Sequence, residues 1–409
     1  MELPKRRLRH LLGSGFLVLI LAATCTARQA RRDPENWKIR VKYIGDCLAV
    51  QTPTWGLRQD PLISLHLIPS SIQELAVDLA GIRRYMRLYM PRTLSDLVQH
   101  TDVTMLSNTA ADYFTQDWLQ WIARATDEEG LGLIMVGGLC SFGGYAGYGY
   151  PDWAGTQVGR MLPVDSIVVN GVANRNFAFR LSPAVPEDPL LSAFDWSRGP
   201  FFFSINTVGM KPGARMLATS DPEDRPLLAY QEVGGGSSLA FMSTWGSPWG
   251  SEFVKWEYFL DFSADMIYYS AGLEIPDPAV VHEIRIQFQK IQLAEELVRS
   301  VLDFVDRLGG RVTAVQRSLD ELTAEKAKAE KLYVDQDYGG CRMSLSEMLA
   351  RTSGLSDQAL RAKNAAFIWI YVTEWSAVAA TFFLSGYVLY STMIRRSLYR
   401  QAMSTRTSS

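Results

Sequence analysis

Hydrophobic and polar positions change their rhythm four times along the chain. Lys5, Arg6, Arg7 and Arg9 lead into an apolar run over 11–23. From 37 to about 275, short aliphatic or β-branched runs alternate with stretches of helical period, the pattern of an α/β domain with a mainly parallel sheet. Strands are expected at 38–44, 102–106, 131–136, 165–170, 215–219, 227–231 and 238–243. An amphipathic helix is expected at 114–126, and a closing one around 253–269. Beyond Pro276 and Pro278, apolar residues recur at alternating spacings of three and four. Residues 372–394 are then almost uninterruptedly apolar.

The third rhythm is a heptad seam: Ile284, Ile291, Ala294, Val298, Val301, Val305, Leu308, Val312, Val315, Leu319, Leu322 and Ala329, with Gln287 and Lys326 filling two core positions. Gly309 and Gly310 lower helix propensity but fall outside the core positions, so the seam keeps its phase. If straight, the run would span about 70 Å. Tyr338-Gly339-Gly340-Cys341 breaks the pattern before a weaker helical stretch with Leu345, Met348, Leu349, Leu355 and Leu360. The 280–363 segment therefore reads as a coiled-coil or helical stalk. It pairs in parallel with a second copy, folds back as a hairpin, or packs on the globular domain; the pattern leaves all three open, with homodimerisation favoured because the shorter second stretch would leave part of the first seam uncovered.

The two ends set an expected topology. Residues 1–27 have the outline of a secretory signal, with Cys25-Thr26-Ala27 as a small-residue cleavage region, or of a retained N-terminal anchor. As a helix, 372–394 rises about 34 Å, enough for a hydrocarbon core of about 30 Å. Trp369, Tyr371 and Trp375 stand at one end of it and Tyr387 and Tyr390 toward the other, as in interfacial aromatic belts. Arg395, Arg396, Arg400 and Arg406 follow, outnumbering Arg361 and Lys363 on the other flank, so the 395–409 tail is expected in the cytoplasm and the globular part outside it. The membrane segment is bounded as 365–394, in one pass, or two if the N-terminal run is kept. Glu374 sits in the first turn of the span, where it reaches the outer interface.

A formal charge of -2 provides no field that would gather nucleic acid. Cys25, Cys47, Cys140 and Cys341 show no C-x-x-C spacing, so no zinc knuckle or redox pair is encoded, and no cofactor or metal is expected. An oxidising compartment would permit a Cys47–Cys140 bond.

Two stretches carry a family resemblance. LGLIMVGGLCSFGGYAGYGYPDWAGTQVGRMLPV holds Gly137, Gly138, Ser141, Phe142, Gly144, Thr156, Leu162, Pro163 and Val164; PLLAYQEVGGGSSLAFMSTWGSPWGSEFVKWEYF holds Pro226, Leu227, Leu228, Gly234, Gly236, Phe241, Ser243, Trp249, Phe253 and Trp256. With Tyr43-Ile44-Gly45-Asp46 as a first strand and its acidic end, the domain resembles the glutamine amidotransferase-like family, a branch of the class I glutamine amidotransferase fold. The resemblance implies a flavodoxin-like α/β sheet. Where relatives often carry Asp, this chain has Asn108; where they have His-Pro, it has Asp188-Pro189; and its tryptophan loop lacks a histidine.

A class I amidotransferase needs a cysteine on a strained turn, a histidine to take its proton and a carboxylate to orient the histidine. Cys140 is the candidate nucleophile, yet Phe142 stands where such a turn wants glycine. Downstream of it the only histidine is His282, beyond the prolines; His66 and His100 precede it. The glycine-rich loop lacks the Lys-Ser/Thr of a P-loop. Binding, rather than catalysis, is therefore the leading expectation, through Asp46, Asn108, Ser141, Tyr145, Tyr148, Trp153, Trp245 and Trp249 on loops at the carboxyl ends of strands. The alternatives are a cysteine amidohydrolase using Cys140, and a stalk-based structural subunit of a membrane complex.

Overall fold

The structure, a computed structural model, describes residues 30–47, 53–58, 60–71, 77–167, 171–246, 248–307 and 313–404. The N-terminal run with Cys25, the pair Gly309-Gly310 and Arg406 lie outside the described residues.

Eleven strands are described: β1 (Ile39–Gly45), β2 (Ile63–Pro69), β3 (Val103–Ser107), β4 (Gly132–Val136), β5 (Val164–Ser166), β6 (Val172–Pro183), β7 (Phe201–Asn206), β8 (Val208–Met210), β9 (Arg215–Asp221), β10 (Pro226–Val233) and β11 (Gly236–Phe241). Nine of them form one sheet in the order β2-β1-β3-β4-β11-β10-β9-β6-β7, while β5 pairs with β8 apart from it. β3 and β4, whose residues are all buried, lie mid-sheet, as their mostly apolar VTMLS and GLIMV predict.

The expectation of a mainly parallel sheet is corrected. From β2 to β11 the neighbours are parallel, but β10, β9, β6 and β7 continue the sheet antiparallel. The cause is local. Gly234 and Gly235 alone join β10 to β11, and two residues can close a hairpin but cannot carry a parallel crossover. Strands β2, β6 and β7, absent from the sequence reading, complete the two edges.

Helices α1 (Leu79–Tyr89), α2 (Leu94–Gln99) and α3 (Gln116–Asp127) start on the side chains of Asp78, Thr93 and Thr115, each accepting a backbone N–H of the first turn. Trp118, Leu119 and Ile122 of α3 are buried. Helix α4 (Phe259–Ala271) is buried almost all round, because it packs on β1, β3, β4 and β11 and also against the first helix of the C-terminal region.

That region comprises α5 (Pro278–Arg307), α6 (Thr313–Val334) and α7 (Tyr338–Ser404). Pro278 opens α5, a position where the missing N–H costs nothing. Glu295 meets Lys326 at 3.0 Å and Glu325 meets Arg351 at 2.8 Å, so α6 runs antiparallel to both α5 and α7. Glu283 faces Arg342 at 3.6 Å, and α5 and α7 run parallel. The seam is therefore not one straight rod: the chain reverses between Arg307 and Thr313. Ile284, Phe288, Ile291, Val298 and Leu302 of α5 are buried with Leu319, Leu322 and Tyr333 of α6 and Cys341, Leu345 and Met348 of α7. Heptad phase could not reveal this, since it reads the same whether the helix continues or turns back. Nor does Gly339-Gly340 separate two helices; it lies in the first turn of α7, which continues for 67 residues, about 100 Å. Within α7, Lys363–Arg400 is long and apolar enough to cross a membrane, and none of its most apolar window is buried against the rest of the chain.

Candidate functional site

The chain runs from β1 to β2 on one side and then from β2 to β3 on the other side of β1, so the carboxyl ends of β1 and β3 flank a topological switch point. Asp46 follows β1 and Asn108 follows β3. Gly45 (φ +145°) lets the two ends meet: a Cβ there would lie 1.8 Å from the Ser107 carbonyl oxygen. The Asp46 N–H donates to that oxygen at 3.2 Å. Asn108 adopts a left-handed conformation (φ 47°), which Asn tolerates. Its Nδ2 donates to Asp46 Oδ2 at 2.6 Å, and its Oδ1 accepts the Cys140 N–H at 3.1 Å. The amide thus links the first strand to the loop after β4. An aspartate here could not donate to Asp46 without holding a proton.

Cys140 is buried, and its thiol is pushed far above the ordinary range by burial first and by the negative charge of Asp46 second. Tyr150 hydrogen-bonds the thiol and opposes this shift in part; its own hydroxyl is raised to about 12 by burial and by Cys140. Tyr113 joins Tyr150 in the same chain of hydroxyls, its acidity also suppressed by burial. Burial and the charge of Asp46 both favour the protonated thiol over the thiolate that a nucleophile requires. The strained residue of the loop is Phe142 (φ 52°), while Cys140 does not take the left-handed conformation of a nucleophile elbow.

The described histidines are engaged elsewhere. His66 bonds the Tyr89 backbone, with burial lowering its pKa; the ring of His100 meets the carbonyl of Asp96; His282 meets Asp261 at 2.6 Å. No Cys47–Cys140 disulfide forms: Cys47, Cys140 and Cys341 are buried thiols.

The remaining predicted residues divide by burial. Tyr145 and Tyr148 lie on a small loop closed by two backbone hydrogen bonds between Tyr145 and Tyr150, each 3.1 Å; Tyr148 is exposed, its ring 5.3 Å from that of Tyr145. Expectations for Trp153, Trp245 and Trp249 as exposed binding residues are corrected, because all three are buried. Trp153 donates to the carbonyls of Thr109 (3.1 Å) and Cys140 (2.9 Å), tying the two loops of the crevice together. Trp245 packs on Phe253 and Phe259, and the Trp249 carbonyl accepts the Phe203 N–H. Ser141 is buried and donates to Val136 O at 2.6 Å, closing the turn after β4.

Sequence reading missed Asn206. Its side chain accepts the Gly138 N–H at 2.9 Å and donates to the Gly138 carbonyl at 3.0 Å, clamping the loop from the end of β7. Gly138 (φ +144°) has no room for a Cβ, which would fall 2.2 Å from Asn108 Oδ1. Also missed was a buried cluster at the junction with the helical region, where Arg285 meets Asp60, Asp261 and Asp265. Nothing in local sequence marks either feature.

An open mixed α/β sheet with its crevice at a topological switch point defines the class: a mixed α/β domain followed by a helical C-terminal region. Residues 75–270 match the family described as Putative glutamine amidotransferase, and the α/β domain is a glutamine amidotransferase-like domain. Among solved structures, a cytoplasmic protein from Salmonella typhimurium shares 19% identity at a TM-score of 0.48, over 57% of this chain and 99% of its own. Another cytoplasmic protein, from Salmonella typhimurium LT2, shares 21% identity at 0.45, over 56% and 98%. An exo-beta-1,4-mannosidase from Opitutaceae bacterium strain TAV5 shares 12% at 0.31, over 58% and 36%. No curated protein matches the chain.

Proposed function

We propose that this is a membrane-anchored protein whose glutamine amidotransferase-like domain lies outside the cytoplasm and acts by binding a ligand or protein partner, without amidotransferase chemistry. The observation that carries the reading is the state of Cys140: a buried thiol held neutral beside Asp46, hydrogen-bonded to a tyrosine rather than to a histidine. The crevice that remains offers a half-buried carboxylate at Asp46, the hydroxyl of Tyr150 and the exposed ring of Tyr148. These recognise hydrogen-bonding, planar or ring-bearing groups and need no charge relay.

Anchoring rests on the exposed apolar stretch of α7 with its aromatic ends, and sidedness on the arginines that follow it. Ammonia release from glutamine, measured on the full chain in detergent beside Cys140→Ala, tests the binding reading. No Cys140-dependent release is expected; release abolished by the substitution would establish the amidohydrolase instead. Protease added to sealed cells should digest the α/β domain, and its survival would reverse the topology.

A further inference from the structure

We propose that the end of the three-helix bundle nearest the apolar stretch of α7 is itself a lipid-contacting surface, with Phe304 of α5, Phe367 and Lys363 seated among phospholipid headgroups. This rests on α7 crossing the membrane, and goes beyond it by bringing in a helix that the sequence places in the stalk.

The register carries the inference. α5 runs parallel to α7, and Phe304 lies against Phe367 with ring centroids 5.4 Å apart. Arg307, the last residue of α5 and three positions on, therefore ends level with Ile370. That level lies between Trp369 and Tyr371, where the aromatic belt of the span begins. A helix lying beside α7 at this height reaches the interface as α7 does.

Side chains at this level have the chemistry of the interface. Phe304 is 38% exposed, Phe367 37% and Trp369 65%, an unusual set of rings for a bundle end bathed in water. Lys363 sets its ammonium over both phenylalanine rings, at 5.9 Å and 6.0 Å. An ammonium held above aromatic rings offers a phosphate its charge while the rings enter the acyl boundary. At the opposite end of the bundle the exposed turn is Asp335, Gln336 and Asp337, without an aromatic ring. Asp303, Asp306 and Arg307 are exposed beside Phe304, so the two ends differ in their exposed rings rather than in charge. Between Tyr338 and Phe367, α7 rises about 44 Å, which sets the height of that opposite end, and of the α/β domain packed beside it, above the membrane.

The test uses the full chain in nanodiscs of phosphatidylcholine containing phosphatidylglycerol, spin-labelled at one introduced cysteine. Phe304→Cys and Lys363→Cys probe the proposed surface, Leu293→Cys the mid-bundle, and Phe382→Cys the span. Collision with a water-soluble nickel chelate is compared with collision with oxygen, which partitions into lipid. Nickel accessibility is expected to be several-fold lower at Phe304 and Lys363 than at Leu293, and lowest at Phe382. If Phe304 and Lys363 labels are as open to nickel as Leu293 while Phe382 stays protected, the bundle end stands clear of the membrane and the proposal is overturned with the span intact. If Phe382 is open as well, the span reading fails and takes this proposal with it. Two label positions on different helices keep the outcome readable where one substitution disturbs the Phe304–Phe367 contact.

Discussion

Arg285 and Asp60, 225 positions apart, meet at 2.9 Å inside the protein with neither side chain exposed. The same guanidinium reaches Asp261 at 2.8 Å and Asp265 at 3.3 Å, while Tyr268 donates to Asp60 at 2.8 Å. Asp60 precedes β2, Asp261 and Asp265 lie on α4, and Arg285 lies on α5, so one arginine joins the α/β domain to the bundle. Burying three carboxyl groups around one cation is tolerated because Arg285 reaches all three, while burial favours the protonated form of Asp265.

Arg285→Met should therefore unfold the junction rather than relax it. Removing the cation leaves buried carboxylates without compensation, at a cost of about 3–5 kcal/mol. Urea unfolding of the full chain in detergent checks this, and a loss under about 1 kcal/mol would show that water enters the cluster freely.

The same cluster gives stability a pH dependence with a definite sign. The Asp265 carboxyl is pushed up to about 7, by burial first, with Arg285 opposing and Asp261 and Asp60 adding to the rise. An unfolded Asp ionises near 3.8, so the folded state keeps a proton that the unfolded state has lost, and stability from this group falls as pH climbs from 3.8 to about 7. The pKa of His282 is raised above 6.5, chiefly by its hydrogen bond to Asp261; its contribution is full below 6.5 and fades as pH passes the folded value. Both act in one direction. Melting temperature should drop from about pH 5 to about pH 8 in the wild type, and Asp265→Asn should flatten the acid part of that slope.

Asn206→Ala should loosen the crevice without touching Cys140. It strands the buried N–H and carbonyl of Gly138, at about 1–3 kcal/mol. Asn206→Asp, which keeps the acceptor and loses the donor, should fall between. Equal stability of all three proteins by urea midpoint would mean that the loop reorganises.

Cys140 should resist alkylation. Each unit by which a thiol pKa rises removes about nine-tenths of the thiolate, and burial adds a steric barrier. Iodoacetamide labelling followed by mass spectrometry should find Cys140 modified at least about tenfold more slowly in the native chain than in urea. Rapid native labelling would count against a silent thiol.

Much of the α/β domain was legible because strands and helices buried on a sheet announce themselves by period. The β-branched and apolar runs at 103–107 and 132–136 lie mid-sheet, and 116–127 forms the amphipathic helix. Asp46 and Asn108 were legible as residues at the carboxyl ends of strands, whereas their hydrogen-bonded link to the Cys140 backbone was not. The tryptophans were not. An indole suits a ligand face and a core equally, and only the loops packed around Trp153, Trp245 and Trp249 decide which it serves.

Taken alone, the order of residues determined the central strands β1, β3, β4, β10 and β11, helices α3 and α4, the apolar stretch of α7 and the phase of the seam, because these depend on neighbours within a few positions. Tertiary structure alone decided that the seam folds back on itself between Arg307 and Thr313, that Asn206 clamps Gly138, that Arg285 gathers three aspartates, and that Phe304 comes to rest beside Phe367. Those contacts join positions tens to hundreds of residues apart, and a buried charge or amide carries no mark in its own vicinity of the partner that will neutralise it.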